Sequence, residues 1–211
     1  NGTRCAANFL YEENFSEDTT INLETKAGLI KTSLVFQDDS QNIKNIKSVI
    51  VDMGEPKITR KEMNLPGNEN EKIMKFPLKI LDNNYFITCV SMGNPHCVIF
   101  VDSVENFPLE TIGPLIENHE MFPAKTNVEF VEIISPNQIR VRVFERGVGI
   151  TKACGTGACA AVVAGFLNCY TTKNVEVKLD GGTLNILWQD DNHVIMSGPT
   201  KKVFVGKYFL D

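Results

Sequence analysis

The chain has no apolar run that approaches the roughly 18–20 residues needed to span a bilayer. Its first residues also lack the basic-then-apolar order of a secretory signal. Acidic and basic residues are interleaved rather than collected into a basic stripe, and the formal net charge is -5. These absences argue against a membrane span, an anionic-membrane patch and a nucleic-acid footprint. We therefore expect a cytoplasmic protein that has neither a membrane nor a nucleic acid as a partner.

Metal-ligand and cofactor signatures are missing as well. No Cys-x-x-Cys pair occurs, and His96, His119 and His193 do not stand at paired ligand spacing. The chain has neither a phosphate-binding P-loop nor a dinucleotide fingerprint. We expect no metal and no cofactor. Nothing points to pyridoxal phosphate, but that cofactor needs no obvious motif, so this alternative stays open.

The chain also has little need of disulfide bonds. At 211 residues and 43% hydrophobic composition, it can bury one substantial core or two small ones. A protein of that size folds without covalent cross-links, so we expect reduced thiols. The six cysteines are Cys5, Cys89, Cys97, Cys154, Cys159 and Cys169.

Strand signals are the commonest feature along the chain. Several segments are rich in β-branched and aromatic residues that often alternate with polar ones, which predicts sheet. These segments are 30–36, 48–53, 85–92, 97–102, 127–134, 138–144, 175–179 and 184–188. Helices are predicted at 3–13, 108–122 and 158–170. The polar stretch 55–72 is a candidate loop or domain crossing.

Two of the predicted helices look alike, which indicates an internal duplication. Each follows a glycine-bracketed turn, "NG" at 1–2 and "GTG" at 155–157, and each then presents Cys-Ala-Ala and a Phe-Leu pair. The second helix is apolar on nearly all sides, so it belongs in the interior. We therefore expect an α+β protein made of two duplicated halves, each with a turn that leads into a buried helix.

Cys154 stands at the start of the second of these helices, next to glycines. The first N–H groups of a helix have no intrahelical partner and carry the positive end of the dipole, which lowers the pKa of a thiol placed there. The small residues Gly155, Thr156 and Gly157 would let a substrate carboxylate approach those amides. This position favours an accessible, activated thiol over the alternative of a buried structural one.

The segments "NGTRCAANFL" at 1–10, "VSMGNPHCVIFVD" at 90–102 and "FERGVGITKACGTGACAA" at 144–161 resemble diaminopimelate epimerase. The likeness continues in "DMGEP", "LDGGTLNILW" and "MSGPTKKVFVG", in the family's order. It implies a cofactor-independent isomerase that interconverts LL- and meso-diaminopimelate, in lysine and peptidoglycan precursor biosynthesis.

The resemblance also carries expectations about the fold. It implies two halves, each a mainly antiparallel β-sheet or barrel wrapped around a buried central helix, with the active site in the cleft between them. By this likeness, residues 1–56 and 200–211 belong to the N-terminal half, and residues 57–199 form the C-terminal half, which carries Cys154.

Inversion of an amino acid needs a base on one face of the α-carbon and an acid on the other, and a thiolate and a thiol can exchange these roles. By resemblance, Cys154 is one of these groups. The other belongs to the family motif "CGNGxRC", which implies a cysteine two positions before Asn1. Aligning the duplicated turns puts the partner of Cys154 at the same place. Cys5 matches the later cysteine of that motif, and we expect it to pack in the core.

The remaining matches fit a small-molecule amino-acid substrate. The resemblance implies that His96 and Glu145 tune the pKa values of the thiols. It implies substrate binding by Asn1, Asn94, Asn127, Glu145, Arg146, Gly155 and Thr156. Ile150 stands where the family usually has a glutamate. A different amino-acid substrate therefore stays open. A non-catalytic amino-acid-binding relative that has lost the first thiol is a second alternative, and a homodimer is possible.

Overall fold

The chain folds into two compact units, as seen in a computed structural model. The structure describes residues 1–25, 28–37, 45–207 and 209. Asn1–Val51 and Ser197–Asp211 make the first unit, and Asp52–Met196 makes the second. Among the described residues, no helix is long and apolar enough to cross a membrane.

The first unit contains a small antiparallel sheet with a helix packed on it. Its elements are α1 (Gly2–Glu12), β1 (Thr20–Thr25), β2 (Gly28–Phe36) and β3 (Ile46–Asp52). Strand β2 pairs with both β1 and β3, and α1 lies against β1 and β2. The side chains of β1 are mostly polar and only Ile21 is buried, which explains why its composition did not predict a strand.

Only one face of α1 is buried. Arg4, Ala7 and Asn8 form that face, because residues three and four apart share one side of a helix. Cys5 lies on a different side of the helix and is exposed, as is Phe9 one turn later. The expectation that Cys5 packs in a core is therefore wrong: the small residues that follow it face inward, and the thiol does not.

The second unit is larger and mixes helices with strands. Its elements are α2 (Arg60–Met63), β4 (Phe76–Ile80), β5 (Asn83–Ser91), β6 (Pro95–Phe100), α3 (Leu109–Glu117), β7 (Asn127–Ser135), β8 (Gln138–Glu145), β9 (Gly149–Thr151), α4 (Gly155–Leu167), β10 (Asn174–Leu179), β11 (Gly182–Trp188) and β12 (Val194–Gly198), the last of which extends past Met196. The strand order is β12-β11-β10-β8-β7-β6-β5-β4, with β9 paired to β8.

Two strand pairs among the described residues are parallel, β6 with β7 and β8 with β10. A parallel pair needs a crossover connection rather than a hairpin. Helix α3 lies in the first crossover and α4 in the second. The two parallel pairs therefore account for the places of the two longer helices of this unit, while hairpins join most of the other neighbouring strands.

Helix α4 is the centre of the second unit. Every residue from Gly157 to Gly165 is buried, and the helix is contacted by β5, β6, β7, β8, β10 and β11. A helix that is apolar all round has no face to turn to water, so strands must cover every side. The predicted α+β class, with a mainly antiparallel sheet around a buried central helix, is confirmed by this arrangement.

The strands predicted from composition are all present, with ends that differ by two residues at most. The prediction missed β1, β4, β9 and β12. Pro77 interrupts the pattern of β4, and β9 spans three residues, so neither has a recognisable strand signal. Within the polar stretch 55–72, a capping box between Thr59 and Glu62 starts the short helix α2, which the sequence analysis did not foresee.

The predicted helices are present too, with corrected ends. Helix α3 ends at Glu117 rather than near 122, because the chain turns after the cap residue Asn118. Helix α4 begins at Gly155, three residues earlier than predicted, and ends at Leu167.

Gly113→Ala should lower the free energy of unfolding by about 1–3 kcal/mol, the usual cost of overpacking a core. A methyl group at Gly113 of α3 would come within 2.7 Å of Cγ and 2.9 Å of Cβ of Phe144. These atoms are the root of the side chain, so the backbone would have to move. Urea denaturation measures the loss. Gly2→Ala is the control, since nothing lies within 4 Å of its added methyl, and an equal loss in both variants would contradict the packing argument.

Candidate active site

Cys154 is the N-cap residue of α4. Its backbone is extended, with φ -129 and ψ 114, and its Sγ accepts a hydrogen bond from the Gly157 N–H at 3.4 Å. The sulfur thus occupies the place that a serine or aspartate oxygen usually takes at a helix start. The segment before it is held by the Gly181 N–H, which donates to the Lys152 carbonyl at 2.6 Å.

His96 and Glu129 form a buried pair beneath this helix start. They lie on the parallel neighbours β6 and β7, and the side chains of both are fully inaccessible to solvent. The Nδ1 of His96 is 2.7 Å from Oε1 of Glu129. Because an ionised carboxylate only accepts hydrogen bonds, the Nδ1 carries the proton and donates it.

A continuous series of hydrogen bonds links this pair to the thiol. The Nε2 of His96 is 3.0 Å from the side-chain amide oxygen of Asn94, which can only accept, so the ring is a hydrogen-bond donor at this end as well. The amide nitrogen of Asn94 donates to the Thr156 hydroxyl at 3.3 Å. That hydroxyl is 3.4 Å from Sγ of Cys154. The structure therefore brings Asn94, His96, Thr156 and Cys154, all predicted site residues, into one network.

The pKa of the Cys154 thiol is raised to about 11, first by burial, next by the negative charge of Glu129 and to a smaller extent by that of Glu145. The hydrogen bonds from Thr156 and the Gly157 N–H lower the pKa, but they do not offset desolvation. The expectation of a lowered pKa and an accessible thiol is therefore wrong for this structure. Cys154 is 7% exposed, and its thiol is protonated at neutral pH.

Asn127 joins the strand that carries His96 to the turn that carries Arg146. Its amide nitrogen donates to the Pro95 carbonyl at 2.8 Å, and its amide oxygen accepts from the Arg146 N–H at 3.1 Å. Asn127 is buried. Both ends of this side chain thus hold backbone in place, which is how it shapes the site in the structure.

Glu145 and Arg146 lie side by side on that turn but point to different partners. The carboxylate of Glu145 accepts a hydrogen bond from the Thr151 hydroxyl. The guanidinium of Arg146 is exposed and donates to the Ala124 carbonyl at 3.0 Å. In the part of the chain that the structure describes, no ion pair joins the two residues.

Two further predicted features have their own local surroundings. Asn1 is the N-cap of α1 in the first unit, where its side-chain oxygen accepts a hydrogen bond from Arg4 at 2.9 Å. Ile150 is half-buried on β9, opposite Phe144, and packs against the apolar core of the second unit. An isoleucine fits that setting without leaving a buried charge unpaired.

The sequence analysis missed two carboxylates that shape the site, Glu129 and Glu117. Glu117, at the end of α3, accepts the Gly147 N–H at 2.7 Å and so holds the turn after Arg146. A signal for Glu129 was present: residues 127–131 are buried throughout, and a single carboxylate within such a strand needs a specific partner.

Comparison with known proteins agrees with the sequence motifs. A family model described as "Diaminopimelate epimerase" matches residues 88–203. A diaminopimelate epimerase from Pelotomaculum thermopropionicum is 47% identical over 208 residues, and one from Oceanobacillus iheyensis is 44% identical over 211 residues. Each alignment covers 99% of this chain and 72% of the relative.

Solved structures show the fold at much lower identity. A probable proline racemase from Agrobacterium radiobacter, with bound carbonate, superposes with a TM-score of 0.72 at 15% identity, covering 99% of this chain and 67% of that one. A hydroxyproline epimerase from Agrobacterium vitis gives a TM-score of 0.64 at 16% identity, covering 92% of this chain and 61% of that one. These likenesses establish a shared fold.

Alkylation should be slower at Cys154 than at the exposed Cys5 and Cys169 near neutral pH, the reverse of what the sequence position suggested. A pKa raised from its ordinary value of 9.0 to about 11 makes the thiolate fraction about a hundredfold smaller. The labelling rate of Cys154 should climb steeply as the pH rises toward its pKa. Mass-spectrometric mapping after brief iodoacetamide treatment at several pH values measures this. Rapid labelling of Cys154 at pH 7 would contradict the raised pKa.

Proposed function

We propose, on the premise that this chain belongs to the diaminopimelate epimerase family, that it interconverts LL- and meso-diaminopimelate. The observation that carries the proposal is the buried Cys154 thiol at the start of α4, linked by hydrogen bonds to Asn94 and the His96–Glu129 pair. A proton-transfer group needs such a dry, pre-organised setting, because ordered donors then stabilise charge without reorganising water.

The proposed chemistry moves two protons. A thiolate on one face of the α-carbon takes the α-hydrogen, which leaves a carbanion stabilised by the adjacent carboxylate. A thiol on the other face then donates its proton to the same carbon, so the configuration inverts and the two sulfurs exchange their protonation states. Cys154 supplies one sulfur. The other, in this proposal, is the cysteine of the family motif that would stand two positions before Asn1.

The raised pKa determines the protonation state in which Cys154 enters the reaction. With a pKa of about 11 it is a thiol at neutral pH, so it acts as the acid in one direction of the reaction. In the reverse direction it must act as the base, and the thiolate is then stabilised by the Gly157 N–H and the Thr156 hydroxyl. The same groups lower the pKa from the value that burial alone would impose.

Recognition of a zwitterionic substrate would use the groups around this thiol. The backbone at Gly155 and Thr156 lies in the first turn of α4, where free N–H groups attract a carboxylate. The exposed guanidinium of Arg146 can bind a second carboxylate, and the carboxylate of Glu145 can bind an ammonium group. Asn94, with its half-buried amide, and Asn127, which orients the Arg146 backbone, complete the proposed site.

A second candidate is an epimerase of the same chemistry that acts on a different amino acid. Ile150 favours this candidate, because it replaces the family's usual glutamate by an apolar side chain on β9, the strand that follows the Arg146 turn. Incubation of the complete protein with LL-diaminopimelate and, separately, with other amino acids in deuterated water distinguishes the two. Turnover of another amino acid without turnover of diaminopimelate would favour the second candidate.

Cys154→Ser in the complete protein should lower the rate of inversion by at least about 10²–10⁴-fold, the effect of losing a general acid–base group. An alcohol is too weak an acid–base partner at neutral pH. The remaining thiol can still exchange the α-hydrogen of one stereoisomer with solvent deuterium while retaining its configuration. NMR of both stereoisomers in deuterated water measures exchange and inversion separately. Inversion at near the wild-type rate would contradict the two-thiol mechanism, and Cys169→Ser serves as the control.

Arg146→Ala should raise KM for the substrate and weaken binding by about 1.5–3 kcal/mol, the range for a hydrogen bond to a charged group. Its guanidinium is exposed, so the free energy of unfolding should change little. Arg142→Ala is the matched control: Arg142 lies on β8 and its Nε is 3.4 Å from Asp180, outside the proposed site. Steady-state kinetics and calorimetry measure both variants. An unchanged KM for Arg146→Ala would remove this residue from substrate recognition.

A further inference from the structure

Glu129 lies in an environment that is unfavourable for a carboxylate. It is fully buried on β7, between Val128 and Phe130. Its Oε1 is bound to His96, whereas its Oε2 has no hydrogen bond among the described residues. A buried carboxylate with an unsatisfied oxygen costs folding free energy, and such groups are concentrated at functional sites.

The carboxylate of Glu129 and the thiol of Cys154 face each other across Gly157, which has no side chain to come between them. A methyl group on Gly157 would lie 2.7 Å from Oε1 of Glu129 and 3.3 Å from Sγ of Cys154. Glycine is therefore required at this point of α4, because any side chain would separate the two groups. The first turn of the helix also presents its positive dipole end to the carboxylate, which partly offsets the cost of burying it.

Glu129 also stands at the far end of the hydrogen-bond network. It accepts the proton of His96 Nδ1, which leaves the other ring nitrogen, Nε2, directed at the amide of Asn94. Asn94 in turn is bound to Thr156, whose hydroxyl contacts the thiol. A rotation of the His96 ring would therefore break the connection from Asn94 onward.

We propose that Glu129 is a positioning residue of the reaction: its hydrogen bond fixes the orientation of the His96 ring, and its charge keeps Cys154 in the thiol form. The inference rests on the proposed function, since Cys154 is the proton-transfer group there. It goes beyond that function by assigning a role to a residue that touches neither substrate nor the reacting carbon.

The charged groups around Cys154 are consistent with this role. Glu129 faces it from β7 and Glu145 from β8, both raising the pKa of the thiol, and His96 on β6 reaches it only through Asn94 and Thr156. From α4 itself come the Gly157 N–H and the Thr156 hydroxyl, which lower the pKa. After burial, the charge of Glu129 has the largest effect on the pKa.

Glu129→Gln tests the charge, because it keeps the shape and an acceptor for His96 but removes the negative charge. Labelling of Cys154 by iodoacetamide below pH 9 should become about threefold to tenfold faster than in wild type, since removing a nearby like charge lowers the pKa and each pH unit changes the thiolate fraction about tenfold. Glu132→Gln is the control on the same strand, where Glu132 accepts the Val104 N–H at 3.0 Å, and its labelling should match wild type.

Glu129→Asp tests the hydrogen bond, because it keeps the charge but withdraws the oxygen from His96. Labelling of Cys154 should stay slow, whereas the ¹H–¹⁵N NMR signal of His96 Nδ1–H should lose the downfield position of a proton that is hydrogen-bonded to a carboxylate. Glu132→Asp should leave that signal unchanged. If Glu129→Gln labels at the wild-type rate, or if Glu129→Asp leaves the His96 signal unchanged, the proposal is wrong.

Measuring turnover tests the proposed function separately from the role of Glu129. In the complete protein with diaminopimelate as substrate, Glu129→Gln should move the limb of the kcat profile that reports Cys154 to lower pH, with KM unchanged. Neither thiol labelling nor the His96 signal requires turnover. A wild-type protein that fails to epimerise diaminopimelate would therefore contradict the proposed function, while those two measurements would still decide the role of Glu129.

Discussion

The contact between the apolar helix α4 and the buried carboxylate of Glu129 is the constraint on which the second unit depends. A helix with no polar face must be enclosed by strands, and enclosure removes its first turn from water. The carboxylate of Glu129 comes so close to α4 that a methyl group at position 157 would lie 2.7 Å from its Oε1. The packing that forms the core therefore also brings together the carboxylate of Glu129, the thiol of Cys154 and the free N–H groups at the start of α4.

Opposing effects act on the pKa of the Cys154 thiol. The helix start and the Thr156 hydroxyl favour the thiolate, whereas burial and the two carboxylates favour the thiol. Burial has the largest effect, so the thiol form prevails at neutral pH. At this helix N-terminus the strands exclude solvent, and the hydrogen bonds of the first turn do not offset the desolvation of the thiolate.

Much of the fold could be predicted because its signals are local. Alternating β-branched residues identified strands such as 138–144, and the uninterrupted apolar composition of 158–170 identified the central helix. Strands such as β4 and β9 were missed, since a proline or a length of three residues erases the pattern. Cys5 was misjudged for a related reason: its neighbours look apolar, but the side of α1 that is covered depends on β1 and β2.

The sequence by itself determined the family, the α+β class and the motif residues that meet around Cys154, because these depend on the order and type of neighbouring residues. Only the tertiary structure decided that Cys154 is a buried thiol with a raised pKa, and that Glu129 lies against it. The reason is that desolvation and Coulomb interactions depend on distances between atoms. Glu129 and Gly157 are brought together by the packing of α4 against β7, and Glu129 and His96 by the parallel pairing of β6 with β7, which no local pattern encodes.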